Sequence, residues 1–460
     1  MADGFTELCA ALTKIDLFGT AGDAMPRGAA LAAAVQQGAP LLPPAYASAY
    51  VAPLQASLAR LARQDPTTAE TLTAAVYQHA GGNALAPLHR FLAVISNLYR
   101  SFLDKDKRAN AGVPLVETLP PLAMFQHDGA DGPFTLPIDA VQQIISGSAG
   151  VVSMPATYAD HPVIWAALAH ETGGHDVTHA DTALLPELAK GIAAAFAGMP
   201  NDPSISRDDL ARLWAYWIDE SSADIYGLLN CGPAFVPNLA AFFAALNARG
   251  SGGAPTLRME SGFSQDDQNQ LLDPHPTDLI RLNLGIGGIE SLNALSAATR
   301  SAYVRQINDL GTRLASGDQI TLVGNIPDDG GSLQPLQAKV PLGYMQQAAR
   351  SVGGYIATAK LQALNGHSIQ DIETWDDADE AKAVAIKGAL LAGRPIGSLG
   401  DDAQLMAGAT LALLEQPDRY NDVTRALNDA LDRSFQADPI WGVPPVDAVY
   451  IRYARELVLR

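Results

Sequence analysis

Cysteine is almost missing from this chain: Cys9 and Cys231 are the two in its 460 residues. They cannot build a disulfide framework, and, far apart in sequence, they make no CxxC metal pair. Basic residues are scarce too, 30 Lys and Arg against 49 Asp and Glu, for a net charge of −19. Such a chain repels phosphate and anionic lipid, and it carries no basic stripe, so neither nucleic acid nor a membrane is expected as a partner. No run approaches the ~20 apolar residues that cross a bilayer. Met1 to Thr20, with Asp3, Glu7 and Asp16, lacks the basic start and apolar stretch of a signal peptide. A soluble, cytoplasmic protein is expected. Internal repeats and long low-complexity tracts are also lacking.

What is present is apolar material. Hydrophobic residues make up 48% and charged residues 17%, enough for a sizeable core and too much for a disordered chain. At ~150 residues per domain the length allows two or three domains or one large unit. Val51, Leu54, Leu58 and Leu61 recur at helical spacing, Pro66-Thr67-Thr68 opens another helix, and Leu88 to Leu103 repeats the pattern. The polar stretch 104–112 is a candidate boundary. Prolines then punctuate short apolar runs, and Val151 to Met154 reads as a strand closed by Pro155. Asp160 and Pro162 start a helix, Ile320 to Val323 suggests a second strand, and 249–255 and 325–332 read as loops. From Gly343 the chain is again largely helical. Asp376, Asp377, Asp379 and Glu380 suit the N-terminus of the helix that follows and do not fit a calcium loop. Gly285 to Gly288 lacks the preceding strand of a dinucleotide loop.

The chemistry concentrates in His170-Glu171-Thr172-Gly173-Gly174-His175 and, on a second helix expected over Leu213 to Asn230, in Asp219-Glu220-Ser221-Ser222-Ala223-Asp224. Two imidazoles and a carboxylate are three ligands, which leaves the fourth position of a tetrahedral Zn²⁺ open for water. His170 and His175 are five residues apart, about 140° around a regular helix. To share an ion they need an extra residue absorbed locally, as in a π-bulge, and Gly173-Gly174 is where a backbone distortion is cheapest. Glu171 is then free to act as general base on the bound water. Asp224, one turn after Glu220, is placed to take a ligand histidine's free N–H. A rival register, Glu171, His175 and His179, lies on one face of a regular helix without any bulge. His79, His89, His127, His161 and His367 stand isolated and read as structural, and Cys231 as a buried apolar residue.

These motifs resemble zinc peptidases of the gluzincin type. They are most similar to the HExxGH family of dipeptidyl peptidase III, which pairs that motif with a downstream EExxAE or EExxAD helix. The resemblance spans His161 to Asn230. It implies one zinc per chain on His170, His175 and Glu220, with Glu171 as base, while Asp219 stands where the family has Glu. Asp273-Pro274-His275 followed by Arg281 resembles the His-Pro…Arg segment of the Ste24 and HtpX proteases. By that resemblance His275 stabilises the oxyanion, and Arg281 pairs with Asp224 or with substrate. Val152 and Ser153 occupy the place of the zincin edge strand that pairs with an extended substrate, with Tyr158 as a weak candidate for oxyanion contact. The reading is therefore a predominantly α, α+β chain. A zincin-like core over 113–330 sits between helical regions 1–112 and 331–460, in a zinc metallopeptidase acting on peptides or small proteins. Its alternatives are a TldD-like or other zinc hydrolase and a non-catalytic binding protein on a zincin scaffold. The sequence leaves the oligomeric state open.

Overall fold

The computed structural model describes residues 2–15, 25–81, 85–116, 118–126, 132–166, 168–181, 183–251, 255–263, 267–328, 330–396 and 399–442. Within it the helical stripes of the N-terminal third form as their spacing requires. Helix α1 (Ala52–Gln64) buries Leu54, Leu58 and Leu61, and α2 (Pro66–Tyr77) begins where Asp65 accepts the Thr68 amide at 3.1 Å. Helix α3 (Leu85–Leu103) follows, with its apolar face in the core. The polar stretch after it folds as a further helix, α4 (Lys105–Ala111), capped by Asp104 and closed by Gly112 at φ 70°. Arg108 of α4 is fully buried: it pairs with Asp181 at 2.8 Å and lies over the Phe102 ring.

Among the described residues the chain is mostly helical, with two small mixed sheets. The first contains β1 (Leu122–Gln126), β2 (Phe134–Leu136) and β3 (Val151–Pro155) in the order β1-β3-β2. This corrects one expectation. Val152 and Ser153 lie on the central strand, with Ala123 and Met124 beside them on the parallel side and Thr135 and Phe134 on the antiparallel side. Their backbone groups are already engaged, and both residues are fully buried, so neither can bind substrate as an edge. The edges of this sheet are β1 and β2, and β2 leads into α5 (Ile138–Ile145).

In the second sheet, β4 (Glu260–Ser261), β5 (Gln319–Pro327) and β6 (Leu333–Pro341), β5 takes in 325–327 of the expected loop 325–332, and the rest of that loop lies between β5 and β6. The pairing joins residues that the sequence reading assigned to two regions. Pro335 and Pro341 disguise β6, but along this strand's outer side a missing N–H removes no ladder bond.

The helix expected over Leu213 to Asn230 is two, α6 (Arg207–Tyr216) and α7 (Ile218–Cys231), broken at Trp217. Every residue of α7 except Asp219 is buried. Helix α8 (Phe235–Ser251) reaches the expected loop, whose residues 252–254 lie outside those described. Helix α9 (Asp278–Ser291) packs against α10 (Leu342–Thr358) at backbone contact. A Cβ on Gly287 would lie 2.0 Å from the Arg350 carbonyl oxygen, and one on Gly353 2.0 Å from that of Leu284. The Gly285 to Gly288 stretch thus serves helix packing. Asp376 caps α11 (Asp377–Leu391) by accepting the Ala378 and Asp379 amides, as its acidic start required. Among the described residues no helix is long and apolar enough to cross a membrane.

Candidate metal centre

The segment from His170 to Asp176 is π-helical. α-Helical Leu168 and Ala169 stand directly before it, and the helix expected from Asp160 opens instead as a 3₁₀ turn, Pro162–Ala166. An i→i+5 hydrogen-bond pattern stacks residues five apart, and the His170 and His175 Nε2 atoms stand 3.2 Å apart with their rings nearly perpendicular. Gly173 and Gly174 lie inside the π segment, where the distortion was expected, and Gly174 has a packing role besides. Neither Gly173 nor Gly174 has a positive φ. A Cβ on Gly174, however, would lie 2.3 Å from the Ala223 Cα, so the residue lets the π segment rest on α7.

That contact sets Glu220 beneath both imidazoles, with Oε2 3.2 Å from His170 Nε2 and Oε1 3.4 Å from His175 Nε2. Zinc bonds of 2.0–2.1 Å in a tetrahedron give ligand–ligand edges of about 3.3 Å, the size of these separations, although the two imidazoles face different oxygens of the one carboxylate. The outer hydrogen bonds agree. His170 Nδ1 is 3.0 Å from Asp224 Oδ1, closer than to Arg281 Nη2 at 3.2 Å, and His175 Nδ1 is 2.9 Å from Asp219 Oδ1. A ring whose Nδ1–H is held by a carboxylate presents a lone pair at Nε2 when neutral. Two lone pairs therefore converge on a carboxylate, and Glu220 Oε2 is buried without a hydrogen bond. A cation fits there, whether protons on the rings or a metal between them.

Without a metal the protons fill that role. Burial favours neutral His170 and His175, but the carboxylates of Asp224 and Glu220 around the first, and of Asp219 and Glu220 around the second, outweigh it. Both imidazoles are held above their ordinary range, His175 by more. Burial also opposes a charged Glu220, yet the two histidines bring its carboxyl well below the usual range.

The remaining residues divide. Asp224 meets its expected partners: it accepts from Arg281 Nε at 2.7 Å and Nη2 at 2.6 Å as well as from His170. Burial would raise its pKa, but the Arg281 charge leads the effects that lower it. Glu171 points to the first sheet, where Thr135 Oγ1 donates to its Oε2 at 2.9 Å. His275 Nε2 lies 3.3 Å from Glu220 Oε1, and its Nδ1 is held by Asp273 at 2.8 Å. Tyr158 is buried, with its hydroxyl unpartnered, and offers substrate no surface. The register Glu171/His175/His179 is not assembled, since the acid grouped with those histidines is Asp219. His79 stacks on Trp441, His89 stacks on Phe435, and His161 bonds Tyr420; His127 lies outside the described residues.

Sequence reasoning missed Thr135, Asp273 and Asp139, the last of which holds His179 Nδ1 at 3.1 Å. For Asp273, two residues before His275, proximity was a usable signal. Thr135 and Asp139 come from β2 and the helix after it, and nothing local marks them. No family model matches the chain, and no curated protein or solved structure matches it either.

Proposed function

We propose that this chain is a zinc-dependent metallopeptidase hydrolysing peptides or small proteins, with His170, His175 and Glu220 as ligands for one ion and Glu171 as general base. The observation that carries the reading is the convergence of two Nε2 atoms and a carboxylate at 3.2–3.4 Å. A bound zinc would supply Lewis acidity and a water whose pKa falls to about 7. Every other part comes from the chain. Thr135 holds one Glu171 oxygen and leaves the other to take the proton of the attacking water and return it to the leaving amine. Asp224 and Asp219 orient the ligand rings. His275, with Nδ1 tied to Asp273 and Nε2 3.3 Å from Glu220 Oε1, is the group nearest the ligands to contact an oxyanion. The free side of β2 is where an extended substrate would add as a strand, close to Thr135 and Glu171.

The test is metal analysis of the wild type beside His175→Ala and Glu220→Ala, followed by a peptide-library screen of wild type and Glu171→Gln. About one tightly held zinc per chain, lost in both ligand variants, is expected. Glu171→Gln should keep zinc and lose hydrolysis. A wild type that takes no zinc on reconstitution ends the reading, and full activity in Glu171→Gln ends the assignment of the base.

A further inference from the structure

His175 faces donors on both sides of its ring. On the outer side, Nδ1 is 2.9 Å from Asp219 Oδ1, and Asp219 Oδ2 is 3.0 Å from His179 Nε2. The three side chains each offer an atom within 4.8 Å of the other two, and all three are half-buried at the rim. His179 is dressed like the inner histidines. Its Nδ1 is 3.1 Å from Asp139 Oδ2, which leaves a neutral ring's Nε2 lone pair turned to Asp219. Two imidazoles and one carboxylate repeat the inner donor set.

We propose that His175 Nδ1, His179 Nε2 and Asp219 form a second, outer site for a borderline divalent cation, with Asp139 orienting His179. Mixed imidazole and carboxylate donors suit Zn²⁺ and Cu²⁺, Cu²⁺ binding more tightly, whereas Ca²⁺ and Mg²⁺ prefer oxygen alone. The outer ion is the weaker one. Its ligands are half exposed, and holding both ions makes the His175 ring a bridge that gives up its Nδ1 proton. The inference shares His175 with the proposed function but does not depend on Glu220 or Glu171.

The experiment loads metal-free protein with buffered Zn²⁺, and separately with Cu²⁺, and counts bound ions per chain by elemental analysis. Wild type, His179→Gln, Asp139→Asn and Glu220→Gln are compared, each checked for folding by circular dichroism. Wild type should take two ions, one tight and one weak, and His179→Gln one. Asp139→Asn, the milder change, should weaken the second ion about 10-fold or more, the effect expected on losing an orienting carboxylate. A single ion in Glu220→Gln that disappears when His179→Gln is added supports the outer site even if the inner reading fails. One ion in both wild type and His179→Gln overturns the outer site alone, and no ion in wild type overturns both.

Discussion

Gly174 and Ala223 are pressed so closely that a methyl group on the glycine would sit 2.4 Å from the alanine's own. One belongs to the π segment that carries both histidines, and the other to the helix that carries Glu220 and Asp224. Their contact sets how far apart the two halves of the candidate metal centre stand.

Gly174→Ala should therefore separate the ligands. We expect a loss of about 1–3 kcal/mol in urea unfolding, the usual cost of overpacking, together with loss of bound zinc. Gly173→Ala should be milder, because its added methyl meets the end of the Asn230 side chain at 2.9 Å and not backbone. A Gly174→Ala protein with full stability and full zinc would remove this contact from the account.

A second expectation concerns Arg281. Its guanidinium is buried, grips both oxygens of Asp224, and lies 4.6 Å from the Phe243 ring centre. Arg281→Met takes from buried Asp224 its two guanidinium bonds and leaves it His170, which should cost about 3–5 kcal/mol in unfolding of the metal-free protein. The double variant Arg281→Met/Asp224→Leu should recover much of that loss. If the double variant is as unstable as the sum of the two single ones, the pair is not acting as a unit.

The pH profile of the metal-free protein follows from the same centre. His170 and His175 are raised when folded, so their contribution is complete below the ordinary histidine value of 6.5 and is lost as pH climbs through the raised values. Glu220 is lowered, so its contribution is complete above its ordinary 4.5 and is lost as pH falls through the lowered value. Thermal melts in chelator should peak between those two values. With zinc added, the alkaline fall should disappear, because the ion replaces the protons. Equal slopes above pH 7 with and without zinc would contradict this.

The convergence of His170, His175, Glu220 and Asp224 was legible because each pair lies within one short segment, where five-residue and four-residue spacings have a direct angular meaning. The π winding itself follows from that spacing. The packing role of Gly174 was not legible, since its partner Ala223 lies on another helix. Val152 and Ser153 failed for a related cause: a buried apolar strand has the same local pattern whether it is central or marginal, and β1 and β2 decide which. Thr135 reaches Glu171 across 36 positions of sequence and Asp139 reaches His179 across 40. Such contacts leave no periodic trace. The mainly helical character was plain from composition and apolar spacing, whereas β6 hid behind its prolines.

The break at Trp217 has a mechanical consequence. Trp217 Nε1 donates to the Asp273 carbonyl at 2.9 Å, Tyr216 donates to that of Leu272 at 2.6 Å, and Asp273 is further bound by Arg258. The strap bearing His275 is thus bolted to the start of the helix bearing Glu220. Strand β2, three residues long, is tied to the π segment by the bonds of Thr135 to Glu171. Glu220 and His275 are therefore fastened to one another through several side-chain-to-backbone bonds, whereas Glu171 is joined to β2 through a single side chain, that of Thr135.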